Sequence, residues 1–411
     1  MSNPQIFISK QKTVSFEDTA IAFGDKSDFE LRKMYWLFSA MNSNFLVKTG
    51  TFALQITFKI RFPFVKNIIK YTIFEHFCGG ETIEDCEKTI QKLQKSHIGT
   101  ILDYSVEGAK DDAGFEVTTQ EIIATIEKAA GNPAIPFSVF KVTGIADSDL
   151  LAKIQRKEPL AEAETLDFEH VKERVERICR KAYEKNVRLF FDGEESWIQH
   201  TIDDLAYQMM EKFNYQKAIV YNTYQFYRHD MLTNLRLAGI AAEEKGYFLG
   251  AKLVRGAYME KEHREAEAHD RKDPIQPDKE ATDRDFDEGL EFCVQHYPRI
   301  ALCAGTHNEK STYQLMELME ENGIEPADEA MYFAQLYGMS DNLSYNLAHA
   351  GYKVAKYVPY GPVQAVMPYL FRRANENTAI AGQSSRELLL IKKEIQRRKN
   401  TPNHVSPKQS P

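Results

Sequence analysis

A chain of 411 residues, 43% apolar and 11% aromatic, carries enough hydrophobic side chains for one large core plus an accessory segment, which excludes disorder over most of its length. Its formal charge of −8, with no block of one sign, argues against nucleic acid as a partner and leaves small anionic substrates to local arginines. Five widely spaced cysteines without a C-x-x-C fit a reducing compartment better than a disulfide framework and give no support to zinc.

The N-terminus, MSNPQIFISKQKTVSFED, has mixed charge and lacks the apolar stretch of a secretory signal. Ser27 and Glu30 form a capping box ahead of Leu31, Met34, Tyr35 and Phe38, the spacing of an amphipathic helix. Residues 1–97 are therefore expected to be a helical segment packed on the domain that follows. Within them residues 51–77 are the most hydrophobic, but Lys59, Arg61, Lys66 and Lys70 interrupt them, short of the ~18 uncharged apolar residues of a membrane helix. Two readings stay open for this stretch: packing within the protein, or a basic, aromatic face on a membrane with residues 58–64 as the contact.

From Gly99 the pattern changes. The runs GTILDYSV (from Gly99), FSVFKVTG (Phe137), VRLFFDG (Val187), AIVYNTY (Ala218), GAKLVRG (Gly250), RIALCAG (Arg299), AMYFAQLYG (Ala330) and YKVAKYVP (Tyr352) alternate with long charged helical patterns. Buried strands separated by helices predict a parallel sheet closed on itself, and residues 99–359 match the roughly 250 of an eight-stranded β/α barrel. An open doubly wound sheet is less well supported, because no strand is followed by G-x-G-x-x-G. The barrel is expected over residues 98–396, with a fraying polar tail over 397–411. The long polar connection 259–285 after the fifth strand reads as an active-site cover.

In such a barrel the site gathers at the C-terminal strand ends. These carry Asp103 and Glu107, Lys141, Asp192 with Glu194 and Glu195, Gln225, Arg255 with Tyr258, Thr306 with His307 and Asn308, Tyr337 and Tyr357. Each alone has an ordinary alternative as a helix cap or solvated charge; their joint placement marks a site. In KLVRGAY, Lys252 and Arg255 can neutralise phosphates, while Gly256 beside Ala257 lets backbone amides come close. Thr306, His307 and Asn308 offer donors to a phosphate or a heteroaromatic ring. No H-x-H or H-E-x-x-H accompanies the histidine, so no metal is expected.

After the eighth strand, PYLFRRANENT places Arg372 and Arg373 behind Tyr369, Leu370 and Phe371. On an ideal helix Val363, Val366, Met367, Leu370, Phe371 and Ala374 form the apolar face, with Arg372 and Glu376 together on the opposite side. Periodicity leaves open an exposed ion pair or a guanidinium fork for a carboxylate. Pro368 is expected to kink the helix or to restart it.

The strings FDGEES, YNTYQFYR, KLVRGAY, DPIQP, GTHN, LYGMSD and YVPYG followed by RRANEN resemble, in order, the motif series of the proline dehydrogenase family over residues 16–378. The insertion KDPIQPDKEAT is similar to the mitochondrial-type branch. The resemblance implies a distorted β/α barrel that holds FAD non-covalently and oxidises L-proline to Δ1-pyrroline-5-carboxylate, with electrons passed to a quinone. It further implies a monofunctional enzyme, since no second domain fits after Thr378, with its product handed to a separate pyrroline-5-carboxylate dehydrogenase. A cytoplasmic enzyme with a peripheral contact at the inner membrane is expected.

Carried over by position, Arg372 and Arg373 bind the substrate carboxylate, Lys141 adds a cation, and Tyr357 and Leu336 wall the pyrrolidine ring. Asp103, Glu107 and Glu376 orient the cations. Gln225 lies at the flavin edge, and Arg255, Gly256, Ala257, Tyr258, Thr306, His307 and Asn308 hold the cofactor. Asp192 and Lys252 take the catalytic positions. Lys252 stands where many bacterial members have arginine, so one ammonium replaces a planar fork. Hydride transfer from proline C5 to flavin N5 needs an unprotonated ring nitrogen and a rigid grip on the carboxylate. Competing readings are a 4-hydroxyproline dehydrogenase and, from another class, a Schiff-base barrel enzyme with Lys141 or Lys252 as nucleophile.

Overall fold

The eight runs fold as parallel strands and close on one another. The computed structural model describes residues 7–8, 13–42, 69–105, 111–379 and 383–401. A short antiparallel pair, β1 (Phe7–Ile8) and β2 (Thr13–Val14), precedes the barrel. The barrel comprises β3 (Ile98–Tyr104), β4 (Phe137–Phe140), β5 (Arg188–Phe191), β6 (Val220–Gln225), β7 (Leu249–Val254), β8 (Ile300–Gly305), β9 (Met331–Leu336) and β10 (Val354–Tyr360). Sequential strands neighbour each other and β10 closes on β3, from Val354 opposite Ile98 to Tyr360 opposite Tyr104, so the sheet has no edge.

Alternation along the strands sorts the side chains. Ile101, Phe137, Val139, Phe190, Tyr221, Cys303, Ala334 and Ala355 point inward, whereas Leu102, Phe140, Leu189, Phe191 and Leu302 meet the surrounding helices. Phe137 and Phe190 stack with centroids 4.4 Å apart and plug the interior. The inward polar groups of the following turns therefore collect above that plug, at the C-terminal strand ends.

The capping box of Ser27 and Glu30 opens the helix Asp28–Met41, and Leu31, Met34 and Phe38 on its buried face meet Leu390 and Ile391 of the C-terminal helix Gln383–Asn400. Phe74 and Phe77 pack with Val366 and Leu370 of the helix Val363–Ala379. The expected membrane-contact stretch 58–64 and Glu107 lie outside the described residues.

Three local expectations are corrected. The stretch 259–285 is largely helical rather than one long connection: MEKEHREAEA, rich in strong helix formers, is the helix Met259–Ala268, Ile275 bridges to Arg228, and Asp278 caps the helix Lys279–Gln295. The helix Val363–Ala379 runs through Pro368 rather than restarting there; proline removes a single donor, and the apolar face on both sides of it is packed. The C-terminal helix continues past Arg397 to Asn400 because Arg398 is buried, its guanidinium donating to Glu394, Asp28 and the carbonyls of Lys26 and Phe23.

Candidate active site

Above the aromatic plug, three strand ends converge on one carboxylate. Asp192, one residue past β5, accepts from Lys141 Nζ at 2.6 Å and from Lys252 Nζ at 2.6 Å. Burial pushes the Asp192 carboxyl up, but the two ammoniums outweigh it and hold the group well below the usual carboxylate range. Burial likewise works against the Lys141 charge, and Asp192, with Tyr258, Glu194 and Asp103, more than restores it. Lys252 lies over the rings of Phe190 and Tyr357, 5.0 and 4.9 Å from their centroids, so its remaining faces meet π-electrons.

Tyr357 and Leu336 are register partners on β10 and β9. The Tyr357 hydroxyl is buried against Asp192 without a hydrogen bond of normal geometry, and burial followed by the charges of Asp192 and Asp103 drives its pKa well up. It is a donor kept protonated beside the Asp192 carboxylate. Asp103, at the end of β3, is buried, accepts from Ser105 Oγ at 2.5 Å, and is raised by that burial against the pull of Lys141.

Arg372 reaches this mouth: its guanidinium carbon sits 5.9 Å from the centroid of the Tyr258 ring, and the Tyr258 hydroxyl accepts from Lys141 Nζ at 3.3 Å. Of the two readings of the double arginine, this contact favours the inward one for Arg372. The side chains of Arg373 and Glu376 lie outside the described residues. Tyr258 itself groups with Lys141 and Arg372 rather than with the expected cofactor residues.

Those residues form a second group on β6 to β8. Arg255 donates to Asp283 at 2.6 Å, Thr306 Oγ1 at 2.7 Å and Ser311 Oγ at 2.9 Å, with its plane over Phe286. Gly256 has φ +128°, and a Cβ there would lie 2.4 Å from the Tyr227 ring, so only glycine fits. Gly256 and Ala257 are exposed at the rim. Gln225 Nε2 donates to the Glu194 carbonyl at 2.6 Å, and His307 Nδ1 lies 2.8 Å from Ser340 Oγ. Asn308 is the N-cap of the helix Glu309–Glu321, accepting from the amides of Lys310 and Ser311, so its ordinary alternative is realised.

One residue gained no role from sequence. Glu194 is 2% exposed, and its carboxylate accepts from the Thr143 amide at 3.1 Å and the Thr143 hydroxyl, while its backbone carbonyl takes Gln225. Burial pushes its pKa up to about 7, with Lys141 opposing. The doubled acid in FDGEES was the available signal; what singled out the first glutamate was its placement between three strand ends.

The family model for proline dehydrogenase matches residues 86–386. The chain belongs to the proline dehydrogenase family. It is 32% identical to the mitochondrial proline dehydrogenase 1 of Dictyostelium discoideum, over 93% of this chain and 74% of that one. It is 39% identical to the mitochondrial proline dehydrogenase 1 of Homo sapiens, over 61% of this chain and 43% of that protein's length. These relatives bear out the likeness to the mitochondrial-type branch. Proline utilization A from Bdellovibrio bacteriovorus, in a crystal structure inactivated by N-propargylglycine, superposes with a TM-score of 0.69 at 19% identity, covering 96% of this chain and 42% of that one. At that identity the likeness carries the fold, and the expected β/α barrel is borne out.

Proposed function

We propose that this chain oxidises L-proline to Δ1-pyrroline-5-carboxylate, passes the hydride to FAD and the electrons on to a quinone, and releases its product to a separate pyrroline-5-carboxylate dehydrogenase. The observation that carries the reading is the mouth in which Asp192 joins Lys141 to Lys252 while Arg372 approaches over Tyr258.

The residues present fit a flavin dinucleotide. Arg255 supplies a cation to the β7–β8 rim, Gly256 lies exposed there with its backbone packed on the Tyr227 ring, and Gln225, Thr306 and His307 stand on adjoining strand ends. When bound, FAD supplies the two-electron acceptor for a hydride from the carbon beside the substrate nitrogen. The chain's own groups do the rest. Arg372, with Arg373 beside it, grips the carboxylate, and Tyr357 with Leu336 sets the plane of the ring. Two fixed ammoniums disfavour a third cation at the substrate nitrogen, which favours the free amine that hydride loss requires.

A Schiff-base reading is disfavoured, because both lysines are ion-paired to Asp192 and the charge on Lys141 is strengthened rather than weakened. Membrane contact enters as peripheral on the basic, interrupted apolar pattern of residues 51–77; charge reversal within residues 58–64 that left vesicle binding unchanged would remove that stretch from the proposal. The central test is spectroscopic. Purified protein should be yellow and bleach with L-proline under anaerobic conditions, and a colourless sample that FAD cannot reconstitute overturns the flavin reading. Arg372→Met should raise the proline KM by about 10²-fold at unchanged FAD content, the loss expected of a misplaced substrate. Rates with proline and 4-hydroxyproline side by side settle the preferred ring.

A further inference from the structure

Outside the barrel mouth, the C-terminal helix Gln383–Asn400 makes a buried contact that the reaction does not use directly. Glu387 is 2% exposed, and its Oε1 accepts the backbone N–H of Ser340. Ser340 has φ +50°, a left-handed conformation that a residue with a Cβ enters at a cost and keeps only where its surroundings over-determine it. Glu387 takes the Ser340 N–H, while the Ser340 carbonyl accepts from the amides of Leu343 at 3.1 Å and Ser344 at 3.2 Å and from Ser344 Oγ at 3.3 Å. The hydroxyl so placed is the group 2.8 Å from His307 Nδ1.

The neighbouring residue repeats the pattern on the adjacent loop. Arg386 donates to Glu309 at 2.9 and 3.2 Å, and Glu309, directly after Asn308, also accepts from Asn342 Nδ2 at 3.0 Å. One turn of helix thus grips the turn after β8 and the turn after β9, both strings of the family pattern. The same helix follows Val363–Ala379, the bearer of Arg372, after only residues 380–382.

We infer that Glu387 is a positioning residue for the cofactor pocket: it holds Ser340 in the left-handed conformation whose hydroxyl orients His307, so the C-terminal helix straps the cofactor side of the mouth to the helix that carries the substrate arginine. This rests on the flavin reading above. A helix that merely filled space would meet the loop with apolar side chains. Here a carboxylate is buried beside a second one, Asp341, whose charge opposes its own, and that is an unfavourable choice for packing alone.

The test compares full-length variants by FAD dissociation constant, measured by protein-fluorescence quenching, together with melting temperature. Glu387→Ala should weaken FAD binding at least tenfold, and Glu387→Gln, which keeps an acceptor for the Ser340 amide, should recover most of the loss. Leu390→Ala, in the same helix but fully buried against the helix Asp28–Met41, should lower the melting temperature and leave FAD affinity within twofold. Equal weakening by Glu387→Ala and Leu390→Ala, or unchanged affinity in Glu387→Ala, overturns the inference. If Glu387→Ala does not fold, Ser340→Gly carries the test: glycine takes the same backbone conformation without the hydroxyl, so FAD should bind more weakly at an unshifted melting temperature, and unaltered binding is again fatal. Wild-type protein that takes up no FAD at all brings down the flavin reading first, a result distinct from any difference among the variants.

Discussion

Asp192 and Asp341 are each held between two lysines, in different surroundings. Asp192 joins Lys141 and Lys252 inside the mouth; Asp341 joins Lys26 at 3.3 Å and Lys356 at 3.0 Å between the barrel wall and the terminal helices. In both, burial pushes the carboxyl up and the lysines hold it well below its usual range. The difference lies in what else the lysines have. Lys356, with no exposed side-chain surface, also donates to the carbonyls of Met339 and Leu336, and Lys26 has Asp25 and the Tyr345 hydroxyl. Lys26 also lies over the Tyr345 ring, 5.2 Å from its centroid, as Lys141 and Lys252 lie over those of Tyr258, Phe190 and Tyr357, but the Lys141 and Asp192 side chains keep 20% and 16% of their surface. A charge cluster closed by backbone carbonyls is a bolt; one closed by rings and open to the mouth retains capacity for an anion.

Breaking each cluster at one residue should separate them. Lys356→Met leaves Asp341 buried with one counter-ion fewer and should cost about 3–5 kcal/mol of stability in chemical denaturation. Asp192→Asn removes the shared charge of the open cluster. Lys141 and Lys252 then lose their common anchor, and kcat/KM for proline should fall on the order of 10²-fold while the denaturation midpoint moves far less. Equal stability losses in the two variants would erase the distinction.

The sequence made the open cluster legible and hid the closed one. Lys141, Asp192 and Lys252 stand at or near strand ends, where the barrel rule looks for a site, and the eight strands themselves are plain in runs of apolar residues too short and too β-branched for helices. Lys356 sits inside YKVAKYVP as an ordinary strand lysine, and its burial depends on the helix Asp341–His349 and the end of β9 with the turn after it, which supply Asp341 and the carbonyls of Leu336 and Met339. Arg372 could be placed on a helix by periodicity, but its inward turn depends on Tyr258, which belongs to a distant turn and which the family pattern alone assigned to the cofactor. Helical wheels describe one element at a time, so contacts between elements were beyond their reach.

Acidity gives a smaller handle on the same comparison. Glu387, beside the closed cluster, has its pKa raised by burial from 4.5 to about 7, Asp341 adding to the rise and the Ser340 amide and Lys356 opposing it. The folded protein therefore holds a proton there that the unfolded chain has released, and stability contributed by Glu387 is lost as pH rises from 4.5 through about 7, by at most about 3 kcal/mol. Glu194 acts in the same sense over the same window. His76 acts oppositely: burial lowers it from 6.5 to about 4, so its contribution is lost as pH falls through that range. With two carboxyls losing and one histidine gaining, these three groups together should lower wild-type stability as pH rises toward 7, while the stability of Glu387→Gln relative to wild type should climb from pH 5 to pH 8 and then level off. A difference independent of pH would exclude Glu387 as the titrating group.

The mildest test concerns Asn308, which the family pattern gives to the cofactor and the structure gives to a helix end. Its side chain already accepts from the amides of Lys310 and Ser311, and its own amide donates to Thr306 Oγ1 at 3.1 Å, the atom that also receives Arg255. Losing the cap in Asn308→Ala should cost about 1 kcal/mol, whereas Asn308→Asp keeps an acceptor at the N-cap and should restore it. FAD affinity then separates the roles, because the backbone hydrogen bond to Thr306 survives both changes. If Asn308 serves the cofactor only by placing Thr306 and Arg255, both variants should bind FAD as wild type does once folded; weaker binding confined to the well-capped aspartate variant would mean that the side chain meets the cofactor's negative charge directly.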